Sequence, residues 1–233
     1  MAGLSSRFFK AGYSEPKYKL PIKNETVFSL AIKSFDRYFS SEKFVFVLRD
    51  VFDAPKFVAE EIERLGIRDY EIVILEAETR GQAETAYIAT KSLPGDFPIY
   101  IFNIDTFRYN YKKPSFVNDC DGYLEVFQAE GEHWSFVLPD GPEKVLKTTE
   151  KERISDLCSD GLYYFKSKLA FESLFEHAVT EEKTVRGEYY VAPLYNDLIA
   201  RGGIVKYCII GTGEIDFCGT PEEYSALIKT ALR

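Results

Sequence analysis

The sequence predicts an α/β fold: a doubly wound, mostly parallel, Rossmann-like sheet with a small antiparallel excursion. Three observations predict it. Short apolar runs rich in β-branched and aromatic residues recur at Lys43 to Leu48, Tyr70 to Leu75 and Phe97 to Phe102. Segments with helical apolar spacing alternate with them, and after Asp105 the pattern changes to strands joined by tight turns. Alternating strands and helices imply a parallel sheet covered on both faces, with its ligand crevice at the carboxyl ends of the strands.

From Thr26 to about Phe39 the apolar residues Val27, Phe28, Leu30, Ala31 and Phe35 recur at helical spacing, with Thr26 placed as the N-cap. Asp53-Ala54-Pro55 caps and opens a helix that stops at Gly66, and Gly81 to Leu93 gives the next. Beyond Asp105, Gly122 to Gln128, His133 to Leu138 and Glu143 to Thr148 read as antiparallel strands around the turns Glu130-Gly131 and Asp140-Gly141. Leu162 to Phe165 is a further strand. Helices at Leu169 to Ala178 and Glu188 to Ala200, a strand at Gly203 to Ile210 and a last helix from Pro221 complete the chain. No repeat or linker interrupts it, so residues 1–233 read as one domain with 120–165 as an antiparallel subregion.

A chain of 233 residues, 45% apolar and 28% charged, is long enough to bury a core. With 29 Lys and Arg against 37 Asp and Glu, the net charge of -8 argues against nucleic acid as a partner. No run approaches the roughly 20 apolar residues of a membrane span, and no basic segment leads into an apolar one, so the expectation is a soluble, cytoplasmic protein with no membrane partner. Cys120, Cys158, Cys208 and Cys218 stand singly, which predicts buried free thiols and neither zinc nor disulfides. His133 and His177 are expected to be structural. The aromatic-rich stretch from Gly122 to Thr148 could form a homodimer surface or a lid.

Chemistry concentrates in a few segments. The N-terminus reads Ala2-Gly3-Leu4-Ser5-Ser6-Arg7-Phe8, then Gly12-Tyr13 and Pro16-Lys17 before Leu20-Pro21. A loop of small residues lets backbone N–H groups approach phosphates, and Arg7 and Lys17 add positive charge for a departing polyphosphate. On local evidence these residues equally suit a terminus with surface cations. Asp105 directly follows an apolar run, where a carboxylate can hold a hard cation against phosphate oxygens or simply cap a turn.

The string MAGLSSRF, followed by GY, PK and LP, is similar to the GxxSRF…PKxLxP signature of the sugar-phosphate nucleotidyltransferase family, which moves a nucleotidyl group from an NTP onto a phosphorylated acceptor. Three further segments match in order: Thr79 to Ala86 resembles the base-binding Gly-Gln-Ala stretch, Asn103-Ile104-Asp105 the metal-binding strand end, and Gly219 to Tyr224 the closing GTPEEY. The resemblance spans nearly the whole chain. It implies that Ala2, Gly3, Leu4, Ser5 and Ser6 wrap the nucleotide, that Arg7 and Lys17 bind the reacting phosphates, and that Gly81 and Gln82 face the base. Asp105 would hold Mg²⁺. Glu150-Lys151 before Gly161 to Phe165 resembles the family's EK…GxYxF element, which gives Lys151 the acceptor's phosphate, with Lys147 and Lys166 as alternatives. The run Glu188-Tyr189-Tyr190…Tyr195-Asn196 looks like an acceptor-side helix, with Glu188 as an acceptor ligand.

Two departures limit the carry-over. Phe217 stands where the family often places a second metal-binding aspartate, and its neighbour Asp216 can serve only if the backbone bulges, because adjacent strand residues face opposite ways. The family's loop also follows an apolar first strand, which this sequence lacks upstream of Met1.

The implied reaction is in-line attack of an acceptor phosphate oxygen on the α-phosphorus of CTP, UTP or dTTP, with pyrophosphate leaving and no covalent nucleophile. By family frequency the acceptor is a sugar phosphate for a capsule or lipopolysaccharide pathway. A cytidylyltransferase for a small phosphate such as phosphocholine is the nearest alternative. A nucleotide-sugar-dependent glycosyltransferase and a non-catalytic nucleotide-binding module also remain. No GxGxxG follows a strand, which disfavours a dehydrogenase.

Overall fold

A computed structural model describes residues 5–230. In chain order its first elements are α1 (Ser6–Lys10), β1 (Pro21–Ile22), β2 (Glu25–Thr26), α2 (Val27–Lys33), β3 (Phe44–Arg49), α3 (Ala54–Leu65) and β4 (Tyr70–Leu75). There follow α4 (Gln82–Lys91), β5 (Ile99–Ile101), β6 (Thr106–Arg108), β7 (Gly122–Gln128), β8 (Ser135–Pro139), β9 (Val145–Glu150) and β10 (Leu157–Phe165). The chain ends with α5 (Lys168–Thr180), α6 (Leu194–Ala200), β11 (Val205–Ile209), β12 (Ile215–Phe217) and α7 (Pro221–Lys229). This is the expected mixed α/β class. The elements fall into two compact units: one of residues 1–78, 103–111 and 214–233, the other of residues 79–102 and 112–213.

In the first unit β3 and β4 pair in parallel from Phe44↔Tyr70 to Arg49↔Leu75, as the two apolar runs predicted. The connecting helix α3 buries Val58 and Ile62 with Phe46 and Leu48, and ends at Gly66 with φ 73°, the left-handed stop that glycine adopts without strain. Thr26 caps α2 through the Ser29 N–H, but the helix stops at Lys33 and the chain turns into a short 3₁₀ segment, so the expected helix to Phe39 is cut short. Asp53 precedes α3 in a left-handed conformation and its side chain makes no cap bond. The antiparallel pair β6–β12 and helix α7 close a second core of Phe8, Ile22, Val27, Phe107 and Tyr224. Thr220 and Glu223 form a reciprocal capping box at the start of α7.

The second unit holds a six-stranded sheet in the order β11-β7-β10-β8-β9, with β5 also on β10. The β11–β7 pair is parallel, whereas β7, β8 and β5 all run antiparallel to β10. The run from Phe97 to Phe102, expected as one of a parallel series, is therefore an antiparallel strand. β10 begins at Leu157, ahead of the expected start at Leu162, and Ser159-Asp160-Gly161 lies where the β7 register shifts in a bulge. The Asp160 carboxylate accepts the Leu162 N–H at 2.9 Å inside that bulge. Phe165 stacks on Tyr195 at 4.5 Å, and the Tyr195 hydroxyl donates to the carbonyls of Tyr123 and Tyr164, which fixes α6 on the sheet. The helix expected over Glu188 to Ala200 starts only at Leu194.

All four cysteines are free thiols, with Cys120, Cys158 and Cys218 buried. No described helix is long and apolar enough to cross a membrane.

Candidate active-site residues

The first unit brings together three segments that are far apart in sequence. Pro16 leaves the chain extended and a 3₁₀ turn over Lys17–Lys19 follows. The Lys17 N–H donates to the Ser5 hydroxyl at 3.1 Å, which ties the lysine's backbone to the N-terminal loop, where Ser5 has φ 51°. Its ammonium donates to Asp105 Oδ2 at 2.7 Å across 88 positions of sequence. The closing segment meets the same carboxylate from another side. The Cys218 N–H donates to the Asp105 carbonyl at 2.8 Å, and a Cβ added at Gly219 would stand 3.5 Å from Asp105 Oδ2. Glu223 accepts the N–H groups of Gly219 and Thr220 at 2.7 and 2.9 Å, holding that turn in place. Burial pushes the Cys218 thiol up to about 12; the nearby Lys17 lowers it and Asp105 raises it. The thiol is therefore a packed, protonated neighbour of the pair and no nucleophile.

The Asp105 side chain is 32% exposed and Lys17 15%, so the carboxylate remains open to a ligand. Its fit to Mg²⁺ rests on hard oxygen donors and on the partial exposure of the carboxylate, which leaves it open to solvent beside Lys17. Among the described residues no three His, Cys, Asp or Glu side chains gather to hold a metal ion. A site here would rest on one or two carboxylates completed by phosphate oxygens and water, which is the usual habit of Mg²⁺. Asp216 lies in β12 in regular register, opposite Phe107 and without the bulge that the sequence argument required. Its carboxylate accepts the Tyr109 hydroxyl at 2.8 Å. Arg7 is exposed on α1, and Ser6 has already entered that helix. Ala2, Gly3 and Leu4 lie outside the described residues.

In the second unit the segment after Gly187 is extended. The Tyr189 N–H donates to the Arg80 carbonyl at 2.7 Å, and the Tyr189 carbonyl accepts from Ala83 at 3.1 Å. Two stretches predicted separately, around Gln82 and around Glu188, are thus joined by backbone. Gly81 is essential to this join: φ is 129°, and a Cβ there would lie 2.4 Å from the Tyr189 carbonyl oxygen. Gln82 is the first residue of α4 and half-buried.

Lys151 follows β9 with φ 56°, and its N–H donates to the Trp134 carbonyl at 2.8 Å. Its ammonium donates to the Tyr190 hydroxyl and stands 4.2 Å from that ring's centre, while Glu150 lies 3.9 Å away. Burial first, and the hydrogen bond that its hydroxyl donates to Glu188 second, push the Tyr190 phenol above its ordinary range. Burial likewise raises Glu150, against the Ser135 hydroxyl that donates to it. Of the three lysines offered for the acceptor, Lys147 is exposed on β9 and Lys166 donates to the Asn118 carbonyl at 3.3 Å. Lys151 is the one that meets the Glu188–Tyr190 stretch, through the Tyr190 hydroxyl. The sequence reading did not single out Ser135 and Glu223, because their partners are set by strand pairing and by a helix cap.

These features define a mixed α/β protein in which a lysine and a partly exposed carboxylate meet beside a glycine turn. Neither a scan of family models nor a search of curated proteins gives a match. Among solved structures, the nucleoside-diphosphate-sugar pyrophosphorylase from Vibrio cholerae RC9 is 45% identical over 99% of this chain and 98% of its own, with a TM-score of 0.95. The inositol-1-phosphate CTP transferase from T. maritima shares the fold at 15% identity, over 97% of this chain and 91% of its own, with a TM-score of 0.73. The CTP:phosphocholine cytidylyltransferase from Streptococcus pneumoniae does so at 14% identity, 97% and 94% coverage and a TM-score of 0.70. The chain belongs to the sugar-phosphate nucleotidyltransferase family and is a nucleotidyltransferase.

Proposed function

We propose that residues 1–233 act as one cytoplasmic nucleotidyltransferase domain that transfers a nucleotidyl group from CTP, UTP or dTTP to a sugar phosphate, releasing pyrophosphate, with surface polysaccharide as the destination. The observation that carries this reading is the Lys17–Asp105 contact at 2.7 Å, with Gly219 beside it. It unites three of the matched motifs in one cluster. The name of the 45% identical relative supports a sugar nucleotide as product.

In the mechanism, Lys17 and Arg7 bind the triphosphate and offset the charge that grows on the departing pyrophosphate. Asp105 is the metal-holding carboxylate; Asp216, in a strand without a bulge and bonded to Tyr109, is not assigned to the metal. Mg²⁺, when bound there, supplies positive charge against the phosphate oxygens. Ser5 orients Lys17 through its backbone. Gln82 and Gly81 meet the base, and Lys151 takes the acceptor's phosphate. That phosphate is ionised near neutral pH, so no general base is needed, and in-line placement of the two anions accounts for most of the rate.

Pyrophosphate release tests the reading, with CTP, UTP and dTTP each paired with glucose 1-phosphate and with phosphocholine, in Mg²⁺. Release with one pyrimidine nucleotide and the sugar phosphate is expected. Turnover of phosphocholine alone would move the acceptor to the small phosphates. Hydrolysis of a nucleotide sugar without pyrophosphate release from any NTP would reject the proposal.

A further inference from the structure

Lys151 is held in an unusual way, and the group that holds it carries no assignment. We propose that Tyr190 is a positioning residue for Lys151, and that Glu188 acts through Tyr190 rather than on the acceptor itself. The inference rests on the reading of Lys151 as the acceptor-phosphate ligand.

The geometry comes from three directions. The backbone of Lys151 is fixed by its bond to the Trp134 carbonyl and by a left-handed φ of 56°, a conformation that a side chain with Cβ adopts only when its surroundings impose it. The ammonium lies 4.2 Å from the centre of the Tyr190 ring and donates to that ring's hydroxyl. Glu188 accepts from the same phenol and so faces it from another side than Lys151. Tyr190 itself is carried by Tyr189, whose backbone is pinned to Arg80 and Ala83. A long, flexible lysine is thereby given a single direction.

The choice of a phenol has a chemical consequence. A carboxylate in the same place would neutralise the ammonium, and an incoming phosphate would have to displace it. A neutral hydroxyl accepts one N–H and leaves the charge of the ammonium uncancelled. The neighbouring carboxylate, Glu150, stays 3.9 Å away, buried and bonded to the Ser135 hydroxyl. The ammonium has three N–H donors and the Tyr190 hydroxyl uses one, which leaves the others for phosphate oxygens.

Two readouts on the full chain test this. Selective ¹³Cε labelling of lysine leaves all three N–H donors in place and gives each lysine an NMR signal; Lys151→Met assigns the one of interest. That signal is expected to carry a ring-current shift from Tyr190, present in Tyr190→Phe and lost in Tyr190→Leu. Titration with inorganic phosphate as the probe should move it. The apparent phosphate affinity should fall about tenfold in Tyr190→Leu, and two- to fivefold in Tyr190→Phe and Glu188→Gln, with NTP affinity unchanged. A merely structural role would lower stability and both affinities together. If phosphate moves the signal equally in all variants, the positioning role is overturned and Lys151 keeps its place. If phosphate never moves it in the native protein, the acceptor reading falls and this inference with it. Should the leucine variant not fold, the phenylalanine and glutamine variants decide: unchanged phosphate affinity in both overturns the proposal.

Discussion

Lys17 and Lys151 are both half-buried lysines that the motifs assign to phosphate, yet their surroundings differ in kind. Lys17 meets a carboxylate at 2.7 Å, whereas Lys151 meets an aromatic ring and its hydroxyl. On the proposed roles, a carboxylate partner means exchange: a triphosphate at Lys17 and a cation at Asp105 would each compete with the pair. A neutral hydroxyl partner means addition, since a phosphate could join Lys151 with no opposite charge to displace.

The comparison is broken most directly at Asp105. Asp105→Asn keeps the shape and can still accept from Lys17, but loses the charge that a divalent cation needs. Pyrophosphate release is expected to fall by about 10³-fold, or about 4 kcal/mol of transition-state stabilisation, with thermal stability little changed. Activity within tenfold of the native enzyme would remove Asp105 from the metal site.

On the second unit the matching test is Gly81→Ala. The added Cβ meets the Tyr189 carbonyl oxygen at 2.4 Å on a backbone with φ 129°, and neither the carbonyl nor the backbone can give way without opening the join. A loss of about 2–3 kcal/mol is expected in urea unfolding, with the denaturant slope unchanged. The variant should also weaken acceptor binding, because Tyr190 hangs on that join. Native stability would mean that the 188–190 segment is not anchored there.

Exchange at Lys17 makes a prediction of opposite sign. Lys17→Met removes the competitor for Asp105, so Mn²⁺ alone, followed by its electron paramagnetic resonance, should bind about five- to tenfold tighter, or about 1 kcal/mol. Binding of the nucleotide to the same variant should weaken. Weaker metal binding without nucleotide would show that the lysine supports the metal instead of competing with it.

Much of the first unit's cluster was legible in the sequence, because its chemistry sits at strand and helix ends that local signals mark. Pro16-Lys17, Asp105 after its apolar run, and the Thr220 cap before Glu223 are all readable without knowing their partners. The second unit was less legible. Nothing near Phe97 to Phe102 says that Ile99–Ile101 pairs antiparallel with β10, since direction belongs to the partner strand. Glu188 to Pro193 is held by two backbone bonds to Arg80 and Ala83, and α6 begins only after Pro193, a local start signal that the helix expected from Glu188 passed over. Tyr190 and Lys151 are 39 positions apart, and only the fold brings them together. Asp216 shows the reverse case. The sequence argument asked for a bulge there, and the regular β6–β12 register gives its carboxylate to Tyr109.

The smallest effect is expected where a carboxylate meets cations and no ligand is involved. Glu25, beside α2, accepts from Arg64 at 2.9 Å, Lys33 at 2.5 Å and Ser29 at 2.8 Å. Burial alone would raise its pKa, but these three bonds outweigh burial and hold it at about 2, against 4.5 for an ordinary glutamate. A carboxylate whose folded pKa is depressed stabilises the fold fully above the unfolded value, and the contribution drains away as pH falls through the window from about 4.5 to about 2. Glu25→Gln should therefore cost about 1 kcal/mol at pH 7, allowing for solvent screening of a surface network, and the gap between variant and native protein should narrow below pH 4.5. Parallel curves for Glu25→Gln and the native protein would mean that this network is too well solvated to matter.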